Sequence, residues 1–275
     1  MPANERIRVA YCIDSLQIGG TELNAIRTAE SLDPSRVELR IFHLQADGPL
    51  RQRYENLKIP MQRIAIRNLY SPATVQQAFR ATRMMNRWRA DVLHAHDIYT
   101  NLFFVPVGRV FGHASTIASR RWWKKTARGG LPTLNRWAYR FAHRVLANTE
   151  SVGRMLIEDE GVPAGKVVEI PNFLRTDAFV TAPAEEVARQ RRAWNVPEGA
   201  FVVGMVARLA AVKNHAMLMR ALAQTAEAVF LVIVGDGPER KALEQQVRDL
   251  GLQRRVAFAG ERHDGAAQHR YFDVS

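Results

Sequence analysis

Cysteine is nearly missing from this sequence, with Cys12 alone among 275 residues. A single thiol closes no internal disulfide. Its place inside an apolar strand pattern marks it as a small buried hydrophobe in a reducing, cytoplasmic setting. Long hydrophobic runs are missing too. No stretch of about 18 apolar residues occurs. The opening Met1-Pro-Ala-Asn-Glu-Arg6 lacks the apolar core of a signal peptide, so the sequence predicts neither a membrane span nor secretion. Low-complexity segments and repeats are absent, and 47% hydrophobic with 24% charged residues is the composition of a soluble globular chain rather than a disordered one. The length accommodates about two domains of ordinary size.

Charge is where the composition departs from average: the formal net charge is +12 and the sequence pI about 10.5. Much of the excess falls between Arg80 and Arg154. Around Ser119-Arg-Arg-Trp-Trp-Lys-Lys125, adjacent tryptophans flanked by cations suit the interface of an anionic bilayer, where indole rings sit at headgroup depth. Nucleic acid also attracts cations and aromatics, but the membrane surface is the preferred partner of the two. The plainer alternative is an arginine-rich, solvated surface.

Along the chain, apolar strand candidates at Ile7 to Ile13, Val37 to Phe42, Val92 to Ala95, Ser115 to Ala118, Arg144 to Ala147 and Lys166 to Ile170 alternate with helical stretches. Such alternation predicts an α/β fold with a doubly wound parallel sheet. Ser71-Pro72 reads as an N-cap with proline at the first helical position. Val75, Phe79, Met84 and Trp88 then fall on one face, with the cations toward solvent. A boundary falls between Pro171 and Gly199. The expected division is an N-terminal domain over 1–172, a linker over 173–199 and a second, partial domain over 200–275.

Two strand-turn-helix units in that second part carry the chemistry. In Phe201-Val-Val-Gly-Met-Val-Ala-Arg-Leu-Ala-Ala-Val-Lys213-Asn-His215, Arg208 and Lys213 stand where a strand gives way to a helix. Cations and free N–H donors at such a turn make a phosphate site. In the second unit, Gly235-Asp236-Gly237-Pro238 follows Val229-Phe-Leu-Val-Ile-Val234. Its glycines permit close backbone approach, and its aspartate either faces the ligand or orders its own turn. Together the units suggest a nucleotide diphosphate at strand C-termini. In the first domain, Gly19-Gly20 before Thr21-Glu22 reads on its own as a loop-to-helix turn. His94 and His96 point to one side of a strand end. Metal binding, a structural hydrogen bond and substrate contact stay open for them, although the other histidines show no ligand spacing such as His-Glu-x-x-His.

Val9-Ala-Tyr-Cys-Ile-Asp-Ser-Leu-Gln-Ile-Gly-Gly-Thr-Glu22, Ile170-Pro-Asn-Phe173 and the two turns above resemble the retaining glycosyltransferases of family 4 over nearly all of Arg8 to Ser275. The resemblance implies the GT-B arrangement of two Rossmann-like domains, the second incomplete here because the family's Glu-rich donor segment would lie beyond Ser275. It implies transfer of a sugar from a nucleotide-diphosphate donor, with retention, to a glycan or lipid-linked acceptor in envelope or exopolysaccharide assembly. The setting would be the cytoplasm, at the inner face of the membrane. No metal or other cofactor is implied.

By resemblance Arg208 and Lys213 neutralise the leaving diphosphate and His96 lies at the cleft. Gly19, Gly20, Gly235, Asp236 and Gly237 lie on the donor side, where Glu261 and Arg262 after Gly260 bracket the base. Thr21, Glu22 and Asn172 belong to the acceptor or sugar side. Many relatives end the next strand with a histidine; here Ile117-Ala-Ser-Arg-Arg121 stands instead, and Ser119 or Arg120 is the expected substitute. The alternatives are an inactive remnant that binds nucleotide or membrane and, more weakly, a nucleotide-sugar epimerase, for which no convincing acid and base set is present.

Overall fold

The apolar runs bounded by turns become parallel strands, buried on both faces and therefore apolar nearly without interruption. The structure, a computed structural model, describes residues 6–66, 71–121, 131–174, 180–262 and 265–275. It divides into two compact units, Met1–Phe173 and Leu174–Ser275.

The first unit runs β1 (Ile7–Ile13), α1 (Gly20–Ser31), β2 (Val37–His43), α2 (Arg51–Asn56), β3 (Met61–Arg63), α3 (Pro72–Trp88), β4 (Val92–Ala95), α4 (Ile98–Phe111), β5 (Ser115–Arg120), α5 (Leu131–Phe141), β6 (Arg144–Ala147), α6 (Glu150–Glu158) and β7 (Val167–Glu169). Its strands pair in the order β3-β2-β1-β4-β5-β6-β7, parallel throughout. Alternation along β1 sends Tyr11 and Ile13 to a core shared with Ala25, Ile26 and Tyr54 of α1 and α2. Ala10 and Cys12 face the opposite core, where α3 to α6 contribute Met85, Phe104, Tyr139 and Leu156. Because β1 pairs with β2 on one side and β4 on the other, strand order reverses between β1 and β4. In an open α/β sheet that reversal opens a crevice at the strand C-termini.

Helix α3 begins as its sequence predicts, with the Ser71 hydroxyl accepting the Ala73 N–H at 3.3 Å and Pro72 in the first turn. Its buried face differs from expectation. Thr74, Ala78, Ala81, Thr82 and Met85 press inward, whereas Val75 and Phe79 stay 53% and 41% exposed. Small residues allow close approach to the neighbouring helix and sheet, so the bulkier apolar side chains are displaced to the outside.

The second unit comprises α7 (Ala184–Ala193), β8 (Phe201–Val206), α8 (His215–Leu222), β9 (Val229–Val234), α9 (Arg240–Asp249), β10 (Val256–Gly260) and α10 (Gly265–Gln268). The stretch expected as a linker holds α7, whose Val187 packs on the core of Trp194, Val202, Phe230 and Val232. Arg191 of α7 donates to the Tyr271 carbonyl at 2.9 Å and pairs with Asp273 at 3.0 Å. The three strands pair in parallel as β10-β9-β8, and Val274 bridges to Val203 on the free side of β8. Strand β8 is therefore the reversal point of this sheet, and the turn that follows it lies where ligands bind in such folds.

Candidate functional site

Strand parity determines which side chains meet at the crevice of the first unit. His94 stands opposite Tyr11 in the register, and His96 shares its face of β4. The two imidazoles lie 4.0 Å apart, with the Tyr11 ring 4.5 Å from His96. His94 Nε2 meets Ser119 Oγ at 2.8 Å. Burial, reinforced by the Arg121 guanidinium, lowers the His94 pKa to about 3. His96 is held well below the usual histidine range by burial, His94 and Arg121, in that order. Both rings are thus neutral near pH 7. Among the described residues, no group of three or more His, Cys, Asp or Glu side chains is placed to hold a metal ion.

Arg121 follows β5 and was not anticipated. One guanidinium nitrogen donates to Asn24 Oδ1 of α1 and, at 3.4 Å, to Asn172 Oδ1. The other lies 3.3 Å from His96 Nδ1. A guanidinium only donates, so Nδ1 accepts and the ring proton resides on Nε2. That Nε2–H is buried and without a partner among the described residues, a donor left for something the chain does not itself supply.

Of the substitutes expected for the strand-end histidine, Ser119 is occupied by His94. Arg120 points to the opposite face, 1% exposed, and pairs with Glu160 at 2.9 Å. Arg121 takes the position assigned to Arg120, because residues two apart share a side of a strand and neighbours do not.

The loop from β1 to α1 is anchored to β4 and α4. Asp97 caps α4, its Oδ1 accepting from the Tyr99 and Thr100 N–H groups at 2.9 and 3.0 Å, and its Oδ2 from the Asp14 N–H at 3.0 Å. Burial pushes its pKa up to about 7 while the hydrogen bonds from Thr100 pull the other way. Gly19 is the N-cap of α1 and offers no side-chain cap. Glu22 folds back on its own backbone N–H and on Ser15; burial raises its pKa. A Cβ on Gly19 would lie 2.3 Å from that carboxylate, whereas one on Gly20 would meet nothing. Thr21 is half-buried on the same turn. The tryptophan pair Trp122-Trp123, with Lys124 and Lys125, lies outside the described residues.

In the second unit the two turns at the sheet's C-terminal edge are joined backbone to backbone. The Leu209 N–H donates to the Asp236 carbonyl at 2.9 Å and the Glu239 N–H to the Leu209 carbonyl at 3.1 Å. Gly235 and Gly237 have φ of 144° and 158°. A Cβ on them would lie 2.1 Å from the Ala207 carbonyl oxygen and 2.4 Å from that of Leu209. The close approach expected toward a ligand is thus made by the neighbouring turn. The N–H groups are taken as well: Gly235 donates to the Gly260 carbonyl at 2.7 Å, and Gly237 to Asp236 Oδ1 at 2.7 Å. Asp236 therefore orders its own turn.

Arg208 and Lys213 remain available. Both are exposed, and among the described residues neither joins an ion pair. They bracket a tight segment in which the Ala210 N–H donates to the Arg208 carbonyl and the Lys213 N–H to the Ala210 carbonyl, each at 2.9 Å. Asn214, left-handed at φ 54°, then turns the chain into α8. His215 in the first turn of α8 is 2% exposed, and both ring nitrogens lack partners among the described residues. Burial, then Lys213, lowers its pKa. Glu261 and Arg262 follow Gly260, exposed at the end of β10.

Comparison with known proteins agrees with this layout. The family model described as Glycosyltransferase Family 4 matches residues 18–178, and that described as Glycosyl transferases group 1 matches 186–272. A 2-deoxystreptamine glucosyltransferase of Streptomyces kanamyceticus is 29% identical over 239 residues, 77% of this chain and 61% of that protein. A 2-deoxystreptamine N-acetyl-D-glucosaminyltransferase of Streptomyces fradiae is 28% identical over 278 residues, 88% and 64% respectively. The chain thus spans less than two thirds of the length of these two relatives. Among solved structures, Anabaena Alr3699/HepE in complex with UDP-glucose superposes with a TM-score of 0.83 at 23% identity, over 98% of this chain and 73% of that one. The likeness shows the same GT-B type α/β fold. With the family model covering more than half of its residues, this chain belongs to glycosyltransferase family 4.

Proposed function

We propose that the chain takes part in transfer of a glycosyl group from a nucleoside diphosphate sugar to a hydroxyl of a glycan or lipid-linked acceptor, with retention at the anomeric carbon. The setting is the cytoplasm, in envelope or exopolysaccharide assembly. One observation carries this reading: Arg208 and Lys213 stand exposed and unpaired at the turn after β8, the reversal point of its sheet. As the bond from the anomeric carbon to the β-phosphate oxygen breaks, its electron pair leaves with the diphosphate. Fixed cations there stabilise the growing charge more than they stabilise the bound donor. The new bond forms to the acceptor oxygen, whose proton passes to the departing diphosphate oxygen. His96, neutral and protonated on Nε2, offers a hydrogen-bond donor at the crevice of the first unit rather than a base. Arg121 positions it. The names of the two Streptomyces relatives and the UDP-glucose in the Anabaena structure support a nucleotide-sugar donor.

Calorimetry with uridine and guanosine diphosphates tests the site. Hydrogen bonds from charged groups contribute about 1.5–3 kcal/mol each, so Arg208→Ala with Lys213→Ala should weaken binding by roughly 10² to 10⁴-fold. Unchanged affinity in a folded double variant would remove the cations from the donor site. Donor hydrolysis and sugar transfer, measured on the same protein, separate an active enzyme from one that binds without turnover.

A further inference from the structure

Between Asn56 and Thr149 the chain carries sixteen Lys and Arg and only two acidic residues, Asp91 and Asp97. That difference, 16 − 2 = +14, exceeds the net charge of the whole protein, +12. Neither carboxylate is placed to neutralise the helices: Asp91 accepts the Arg8 N–H at the start of the strands, and Asp97 is consumed in capping α4. Helices α3, α4 and α5 come from this stretch and pack side by side, α4 against both neighbours, over one face of the sheet. The outer surface of α3 is therefore basic; the carboxylate at its C-terminal end, Glu38 of β2, accepts the Trp88 indole N–H at 3.0 Å and is shared with Arg6 and Arg8.

Arg80, Arg83 and Arg87 follow one another at i, i+3 and i+7, a single stripe about 10 Å long. All three are exposed, and none forms an ion pair among the described residues. Beside the stripe stand apolar side chains that the core does not use: Val75 and Phe79 of α3, and Phe111 at the end of α4, 53%, 41% and 55% exposed. Asn86 of α3 ties the two helices together, donating to the Phe111 carbonyl at 3.0 Å and accepting the His113 N–H at 3.2 Å.

We propose that this α3–α4 face docks the protein on the surface of an anionic lipid bilayer, the arginine stripe meeting headgroup phosphates and Val75, Phe79 and Phe111 entering the interface. The proposal stands independently of the transfer reaction. Cations with bulky apolar residues beside them are what an interfacial helix requires. Nucleic acid fits the same charge less well. It would use aromatic faces as stacking platforms, whereas the Phe79 and Phe111 rings are turned edge to face on each other, 4.7 Å apart at 61°. An aliphatic Val75 gains from hydrocarbon and nothing from bases.

Flotation of the whole chain with phosphatidylcholine vesicles, with and without 30 mol% phosphatidylglycerol, tests the proposal. Binding is expected only with the anionic lipid. Arg80→Gln, Arg83→Gln and Arg87→Gln together should weaken it on the order of a hundredfold, about fivefold for each cation next to an anionic surface. Phe79→Ser with Phe111→Ser should weaken it at unchanged charge. Arg220→Gln, Lys241→Gln and Arg254→Gln remove the same charge from the second unit and should leave binding intact; circular dichroism confirms that each variant is folded. Equal binding to neutral vesicles, equal loss in the second-unit variant, or no loss in the α3 variant would overturn the proposal. So would binding to duplex or single-stranded DNA that is tighter than to vesicles and abolished by the same three α3 substitutions.

Discussion

Removing the Glu160 carboxylate tests how buried charge is tolerated in the first unit. Glu160 pairs with Arg120 at 2.9 Å, and the two side chains are only 11% and 1% exposed. The Glu160 pKa is raised, burial outweighing the attraction of Arg120 and Arg136. Coulombic gain thus fails to offset desolvation fully, which makes the pair costly to break and of little net benefit to keep. Glu160→Ala withdraws the carboxylate from a guanidinium that water barely reaches. Breaking a buried pair in this way costs about 3–5 kcal/mol. For a unit of this size, at about 2–4 °C per kcal/mol, the melting transition should fall by roughly 6–20 °C. Arg120→Met with Glu160→Met removes both charges at similar volume and should recover most of the loss. Urea unfolding followed by circular dichroism, with calorimetric Tm, measures both. A loss under about 1 kcal/mol for Glu160→Ala, or a double variant less stable than the single one, would refute the reasoning.

Two further expectations concern the turns and the histidines. Gly235→Ala combines an unfavourable φ with a Cβ 2.1 Å from the Ala207 carbonyl oxygen and should destabilise the second unit by about 2–6 kcal/mol. Gly20→Ala, where a Cβ meets nothing, should leave the urea midpoint unchanged or slightly raised. His94 has its pKa lowered to about 3 in the folded state, against roughly 6.5 unfolded. The unfolded chain then binds the extra proton, so this contribution is complete above about pH 6.5 and is lost as pH falls toward 3. Between pH 7 and 4.5 the native protein should lose about 2–3 kcal/mol more than His94→Asn. Parallel urea midpoints for the two proteins across that range would contradict the assignment.

Much of the fold was legible because central parallel strands must be apolar on both faces. Five of the six strands expected in the first unit reappear with the same first residue and end within two residues of the expected one, and the sixth, Lys166 to Ile170, begins and ends one residue inside its expected bounds. Strand β3, three residues at the sheet edge with two of them exposed, leaves no periodic signal, and α2 is too short to show one. Helix α3 was legible in position but not in orientation: a bulky apolar stripe normally marks the buried side, and here alanines and threonines do. At the first-unit crevice, the pairing of His94 with His96 was legible from their places at a strand end, while nothing singled out Arg121. Counting parity from Ser119, whose face of β5 meets His94 of β4, would have favoured Arg121 over Arg120. The glycines after β9 were legible as a place of close backbone approach, but not that the turn after β8 is what comes close to them, since a sequence shows that backbone comes close and not which backbone.

The crossed hydrogen bonds among Leu209, Asp236 and Glu239 have a mechanical consequence. Neither turn can lift away without breaking its hold on the other, so the pair behaves as one rigid jaw. A ligand gripped only by Arg208 and Lys213 would therefore slow amide exchange at Glu239 as well, in a segment it never touches.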